Sequence, residues 1–164
     1  MGYTCAFTGH RSSKLPWRYD ETDLRCLDLK ARICDMIEAV YSATFDHFIC
    51  GMADGCDLYF CEAVLAFRDE HPDVFLEAAV PFPGQAEHWP PVRREYYKEL
   101  LARCDKRTLI SPEYTYDCMM KRNRYMVDNA QLLIACYDGL PGGTHNTYKY
   151  AVKTGKQVIH ITTE

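Results

Sequence analysis

The chain has 164 residues, of which 48% are hydrophobic and 26% are charged, and its formal net charge at pH 7 is −4. These values are typical of a globular domain with a buried core, and they exclude a disordered chain. The acidic balance argues against an extended nucleic-acid surface, and no apolar run approaches the roughly 20 residues of a membrane helix. The N-terminus lacks the apolar core of a signal peptide, so we expect a cytoplasmic protein.

Short apolar segments alternate with longer amphipathic ones, which predicts a parallel sheet with helices on both faces. Asp20 is in position to cap the first helix. We therefore expect an α/β fold: one Rossmann-like three-layer sandwich over residues 1–164, with a mainly parallel six-stranded sheet in the order 3-2-1-4-5-6. The predicted strands are residues 3–8, 45–50, 74–80, 107–110, 132–137 and 157–161. The predicted helices are residues 22–41, 54–70, 116–129 and 144–154, with one more after residue 91.

The nine cysteines are an odd number, and they fall inside predicted strands and helices. That placement is typical of reduced thiols that act as small buried hydrophobic side chains. Their spacings match no familiar zinc pattern. We therefore expect no structural metal and no cofactor.

Three predicted strands end at a glycine, in TG at 8–9, CG at 50–51 and DG at 138–139. Glycine lets the backbone turn sharply and lets a ligand approach the amides, although a glycine can also simply terminate a strand. Because polar residues follow all three, we expect a ligand site where these strand ends meet.

The first of these segments reads TGHRSSK. Thr8 offers a hydroxyl, Gly9 an amide and Arg11 a guanidinium that can hold a phosphate, although an exposed arginine can also be a solvated charge. The segment is not a Walker A loop, because a second glycine is missing and Lys14 is not followed by serine or threonine.

The second segment, GMADGCDLYFCEA, turns tightly into a helix whose N-terminus can hold an anion. Asp54 and Asp57 would repel a phosphate, so each is expected either to cap the helix or to contact ribose hydroxyls or a base.

The predicted fourth helix carries RNRYMVD at 122–128. Asn123 lies on the face of Met119 and Met126, which points to the core, so its amide needs a partner: a backbone carbonyl, a ligand or a loop. Arg122 is then a candidate anion clamp.

A turn in YDGLPGGTHNTYKYA, at 137–151, precedes the predicted fifth helix. In Pro141, Gly142, Gly143 and Thr144, amides and a hydroxyl at a helix start can hold phosphate through backbone dipoles. The roles of His10 and His145, both near this region, stay open.

Taken together, TGHR, GMADGCD, RNRYMVD and YDGLPGGT resemble the YpsA-like family of the SLOG superfamily, which is named from the Smf/DprA and LOG proteins. The resemblance covers nearly the whole chain. It implies a Rossmann-like fold that binds a nucleotide or a nucleotide-derived ligand. The expected ligand-binding residues are Thr8, Gly9, His10, Arg11, Gly51, Asp54, Gly55, Asp57, Arg122, Asn123, Asp138, Gly142, Gly143 and Thr144.

LOG proteins are nucleoside monophosphate phosphoribohydrolases with the motif Pro-Gly-Gly-x-Gly-Thr-x-x-Glu. Here one glycine is absent and Thr147 falls where the glutamate would stand, which weakens that hypothesis; Glu62 is the candidate replacement carboxylate. Three hypotheses follow: a domain that binds or senses a nucleotide-like small molecule, a phosphoribohydrolase, and a regulator of cell division or stress that acts through a protein partner. Self-association fits each of them.

Overall fold

The computed structural model describes residues 2–164 as a six-stranded parallel sheet with five helices on its two faces. This confirms the predicted Rossmann-like sandwich. The strands are β1 (Tyr3–Gly9), β2 (Phe45–Cys50), β3 (Phe75–Val80), β4 (Lys106–Leu109), β5 (Leu132–Cys136) and β6 (Gln157–Ile161). The helices are α1 (Leu24–Ser42), α2 (Cys56–Glu70), α3 (Pro91–Arg103), α4 (Cys118–Asp128) and α5 (Gly143–Lys153). No helix in the described range has both the length and the hydropathy needed to cross a membrane.

The strand order is β4-β3-β2-β1-β5-β6, so the predicted order 3-2-1-4-5-6 is wrong in the position of β4. The chain runs outward from β1 to β4 and then returns through α4 to place β5 beside β1. The amino-acid sequences of β4 and β5 explain this arrangement. The segment KRTL in β4 is short and largely exposed, which suits a sheet edge, whereas LLIAC in β5 is buried throughout, which suits the sheet centre.

Alternate residues of the central strands face two separate parts of the core. Cys5 and Phe7 of β1 belong to the cluster that contains α1, α2 and α3. Ala6, between them, belongs to the cluster formed with α4 and α5. Because helices leave β1 and β5 on opposite faces, a crevice forms at the carboxyl ends of these two strands.

A buried carboxylate fastens the edge strand to the sheet. Glu77 on β3 accepts hydrogen bonds from His47 Nε2 (3.1 Å), Thr108 Oγ1 (2.8 Å) and the hydroxyl of Tyr125. These three donors belong to β2, β4 and α4, so one side chain links four elements. Burial alone would raise the pKa of Glu77, but the three hydrogen bonds outweigh it and lower that pKa to about 2.

The cap of α1 differs from the prediction. Asp23, not Asp20, is the N-cap residue, and its carboxylate accepts from Arg25 N at 2.9 Å. Asp20 instead accepts from Thr22 N at 3.1 Å in the turn before the helix. The helix therefore begins two residues later than expected.

Candidate functional site

A cavity of about 310 Å³ lies at the carboxyl ends of the central strands, beside the N-termini of α2 and α5. Strands β2, β1 and β5 are neighbours in the sheet, so the three glycine-containing strand ends lie together. Most of the predicted ligand-binding residues line this cavity, together with three residues that the sequence reasoning missed. The lining consists of Thr8, Gly9, His10, Arg11, Lys14, Ala53, Asp57, Met119, Arg122, Asn123, Gly143 and Thr144.

The N-terminus of α5 forms one wall of the cavity. Gly142 is its N-cap residue, with φ +153°, and glycine has no side chain with which to cap the helix. The first amide groups of a helix have no acceptor within it, so those of α5 can bind an anion. Thr144, in the first turn, is buried and lines the cavity.

Two cationic side chains face this helix end. The position of a Cβ atom at Gly142 would lie 2.7 Å from Lys14 Nζ. Within residues 2–164, neither Arg11 nor Lys14 has an acidic partner within 4.0 Å. Arg11 precedes the short 3₁₀ helix Ser12–Lys14, in which residues three apart point the same way. The SSK tripeptide after Arg11 could have indicated that Lys14 reaches the cavity. This inference would have required knowing that the tripeptide forms a 3₁₀ helix.

Arg122 is buried below the cavity against the end of β2. Its Nη1 donates to the carbonyl of Gly51 at 2.5 Å and to Gln85 Oε1 at 3.3 Å, and its Nε donates to Asn123 Oδ1 at 2.8 Å. The partner of Asn123 is thus a guanidinium rather than a backbone carbonyl. Gly51 itself lies outside the lining; its role is to leave room for Arg122, whose Nη1 is 2.8 Å from the Cβ position there.

Asp57 is a buried acid that faces the same cavity. Its Oδ2 accepts from Ala53 N at 3.1 Å, whereas Oδ1 is the one buried side-chain oxygen or nitrogen in residues 2–164 without a partner. Burial raises the pKa of Asp57 to about 6, against the opposing effects of Arg122, the Ala53 amide and Arg11. A donor on a bound molecule would satisfy this oxygen.

The imidazole of His10 contacts the carboxylate of Asp138, a residue that does not line the cavity. His10 Nε2 is 3.0 Å from Asp138 Oδ1 and 3.4 Å from the backbone nitrogen of Asp138, and the shorter contact, with the carboxylate, favours the tautomer with its proton on Nε2. A hydrogen bond from Leu140 N, and then the contact with His10, lower the pKa of Asp138. His145 points elsewhere, with Nδ1 2.6 Å from the hydroxyl of Tyr137.

Asp54 and Gly55 do not line the cavity as predicted. Asp54 pairs with Arg93 of α3 (Oδ1 to Nη2, 2.5 Å), and Arg93 Nη1 also donates to Glu21 at 2.6 Å. Gly55 forms a backbone bridge with Arg11, so it shapes the loop. These contacts join segments more than 30 residues apart, which local sequence patterns do not reveal.

A second cavity, of about 270 Å³, adjoins the first and shares Arg11, Ala53 and Met119 with it. Its other lining residues include the aromatic rings of Tyr19 and Trp89 and the carboxylate of Asp54. The two adjoining cavities thus place a cationic subsite next to an aromatic one.

Glu62 is not at this site. It lies exposed on α2, and its charge acts on Cys34 of α1, on the outer side of these helices. Thr147, at the position of the LOG glutamate, is buried and donates to the carbonyl of Gly143 at 3.0 Å. Glu62, the candidate replacement carboxylate, therefore does not line the cavity, and the acid that does is Asp57. Across residues 2–164, no group of three or more His, Cys, Asp or Glu side chains is arranged to hold a metal ion.

The fold is similar to that of a DNA-processing protein of known structure. DNA processing protein A (DprA) from Streptococcus pneumoniae superposes with a TM-score of 0.65 at 14% sequence identity. The match covers 97% of this chain and 50% of DprA, so this chain corresponds to half of that protein. At this identity the likeness concerns the fold alone.

Sequence comparisons identify relatives in Bacillus. The SPbeta prophage-derived protein YoqJ of Bacillus subtilis strain 168 is 30% identical over 141 residues, which cover 78% of this chain and 82% of YoqJ. A UPF0398 protein of Bacillus cereus strain G9842 is 32% identical over 109 residues, or 63% of this chain and 55% of that protein. The model of the YpsA family, described as the YspA SLOG family, matches residues 5–162. The chain therefore belongs to the YpsA family of SLOG proteins.

Proposed function

We propose that the protein binds a nucleotide or a nucleotide-derived ligand at the carboxyl ends of the central strands. The observation that carries this proposal is that one cavity combines an anion site with an unsatisfied acceptor. Arg11, Lys14 and the start of α5 suit a phosphate, and Asp57 Oδ1 needs a hydrogen-bond donor. A ribose phosphate supplies both the phosphate and a hydroxyl donor, and only a few covalent bonds separate them.

The adjoining cavity suits the base of such a ligand. Tyr19 and Trp89 offer aromatic faces for stacking, and Gln85 and Asp54 offer polar groups for the base edge. Arg11 belongs to both cavities, so a phosphate near it can be followed directly by the nucleoside.

Titration calorimetry with the four nucleoside 5′-monophosphates tests the proposal. We expect saturable binding of at least one nucleotide, and at least about tenfold weaker binding of the matching nucleoside. The double variant Arg11→Ala/Lys14→Ala should bind the nucleotide more weakly than the wild type by a similar factor. The matched control, Lys98→Ala/Arg103→Ala, removes two exposed cations from α3 and should bind as the wild type does.

The role of Asp57 has its own test. If Asp57 Oδ1 accepts from a ribose hydroxyl, the wild type should bind the 2′- or 3′-deoxy form of its nucleotide about tenfold more weakly. Asp57→Ala should not make this distinction. The absence of heat from every nucleotide, or full affinity in the Arg11→Ala/Lys14→Ala variant, would refute the proposal.

A phosphoribohydrolase is the second candidate function, and one observation favours it. A buried carboxyl group with a pKa of about 6 can deliver or accept a proton near neutral pH, as cleavage of an N-glycosidic bond requires. Asp57 would then act on the leaving base or on the attacking water.

Chromatographic detection of free base tests this activity. We expect release of base from the bound nucleotide, and loss of that release in Asp57→Asn with nucleotide binding retained. Intact nucleotide after prolonged incubation with concentrated protein would exclude the hydrolase and leave the binding function.

A further inference from the structure

A third cavity lies between α4 and α5. It has a volume of about 730 Å³ and shares Met119, Asn123 and Gly143 with the 310 Å³ cavity in which we place the phosphate. The groove therefore starts at the N-terminus of α5 and continues along α4 and α5, and none of its lining residues except Met119 belongs to the aromatic subsite. The cavity proposed to hold the phosphate thus adjoins both the aromatic subsite and this groove.

The charge of this groove is unlike that of the whole chain. Arg124, Lys149 and Lys153 line it, and none of its lining residues is acidic, although the chain has a net charge of −4. Within the described residues, none of these three cations has an acidic partner within 4.0 Å. Lys149 and Lys153 are four residues apart on α5, a like-charge spacing that destabilises a helix and that a bound anion would relieve.

The groove also offers an aromatic surface. The guanidinium of Arg124 lies 5.0 Å from the ring centre of Tyr150, and the Tyr150 hydroxyl donates to Asp128 at 2.7 Å. Both contacts fix the ring in place. Tyr116, which also lines the groove, is 93% exposed. The groove thus combines cations with rings, the two features that a second nucleotide needs.

We propose that the groove between α4 and α5 binds the second half of a phosphate-linked dinucleotide whose terminal phosphate meets Arg124, Lys149 and Lys153. This inference rests on the proposed function. The bridging phosphate occupies the cavity at the start of α5, and one nucleoside lies beside Tyr19 and Trp89. The other nucleotide lies along the groove. A nucleoside monophosphate fills only the first part of this site.

Three ligands separate the parts of the site: AMP, the dinucleoside phosphate ApA, and pApA with its 5′-terminal phosphate. Calorimetry at one fixed ionic strength should give an affinity for pApA at least about tenfold above that for ApA and AMP. The double variant Lys149→Glu/Lys153→Glu should lose this gain but bind AMP within about twofold of the wild type, as expected for cations outside the AMP site. The control Lys98→Glu/Arg103→Glu makes the same change in net charge on α3 and should retain the gain.

The outcomes are distinguishable. If AMP binds and pApA adds nothing, or if Lys149→Glu/Lys153→Glu binds pApA as the wild type does, the dinucleotide inference is overturned and the nucleotide site stands. If neither AMP nor pApA binds, the dinucleotide inference is overturned, whereas the proposed function fails only if none of the four nucleoside monophosphates binds. Affinity that continues to rise from pApA to a ten-nucleotide oligomer would also overturn the inference, because the occupant would then be a nucleic-acid strand.

Discussion

Arg122 and Asp57 approach Gly51 so closely that a Cβ atom there would lie 2.8 Å from Arg122 Nη1 and 3.0 Å from Asp57 Oδ2. The side chains of Arg122 and Asp57 therefore both pack against residue 51, and only glycine leaves enough room for them there. Their attraction also limits the rise in the pKa of Asp57 that burial causes.

Gly51→Ala should destabilise the protein by about 1–3 kcal/mol, because the methyl group displaces a buried guanidinium from its hydrogen bonds. Urea unfolding measures this change. Gly143→Ala is the matched control for the added methyl group, since no atom lies within 4 Å of its Cβ position; we expect stability within about 1 kcal/mol of the wild type. A Gly51→Ala variant as stable as Gly143→Ala would contradict the close approach.

Asp57 should make stability fall as the pH rises. Its pKa is about 6 in the folded protein, above the ordinary value of 3.8, so the folded state binds the proton more tightly between these values. The free energy of unfolding should therefore decrease by about 2–3 kcal/mol from pH 4 to pH 7 through this group.

Asp57→Asn should remove this contribution, so its stability relative to the wild type should increase over the same range. Urea unfolding at pH 4, 5, 6 and 7 measures the difference, with exposed Asp69→Asn as the control. Parallel pH profiles for Asp57→Asn and the wild type would show that Asp57 titrates normally.

Glu77 should have the opposite effect. Its pKa is lowered to about 2 from 4.5, so its stabilisation is complete above about pH 4.5 and is lost as the pH falls towards 2. Glu77→Gln should therefore cost about 2–3 kcal/mol at pH 7 and much less at pH 3. Unfolding at both pH values tests this, and Glu95→Gln, whose side chain is 71% exposed, should change little at either.

Arg93→Met should destabilise the protein by about 1–2 kcal/mol, because it leaves the partly buried carboxylates of Asp54 and Glu21 without this cation. The change is measurable by thermal unfolding. Lys98→Met, which breaks an exposed pair with Glu95 on the same helix, should cost less than about 0.5 kcal/mol. Equal costs for the two variants would argue against a structural role for the Asp54–Arg93 contact.

The sequence predicted the helices and strands, and most of the residues that line the cavity, because both depend on local signals. Apolar runs such as LLIAC identify strands, and glycine with threonine at 142–144 marks a helix start that can hold phosphate. The position of β4 was missed because strand order depends on which helices share a face. Lys14 was missed because its orientation depends on a 3₁₀ turn. The Arg93 partner of Asp54 was missed because 39 residues separate the two.

The loop after β1 is anchored at both sides before any ligand arrives. His10 N donates to Cys136 O at 3.0 Å, Cys56 N donates to His10 O at 3.0 Å, and Ser12 N donates to Asp54 O at 3.3 Å. A ligand that binds here meets a preorganised backbone, so little conformational entropy is lost from the loop on binding. Association should then approach rigid docking, with its rate set by electrostatic steering towards Arg11 and Lys14 rather than by loop closure.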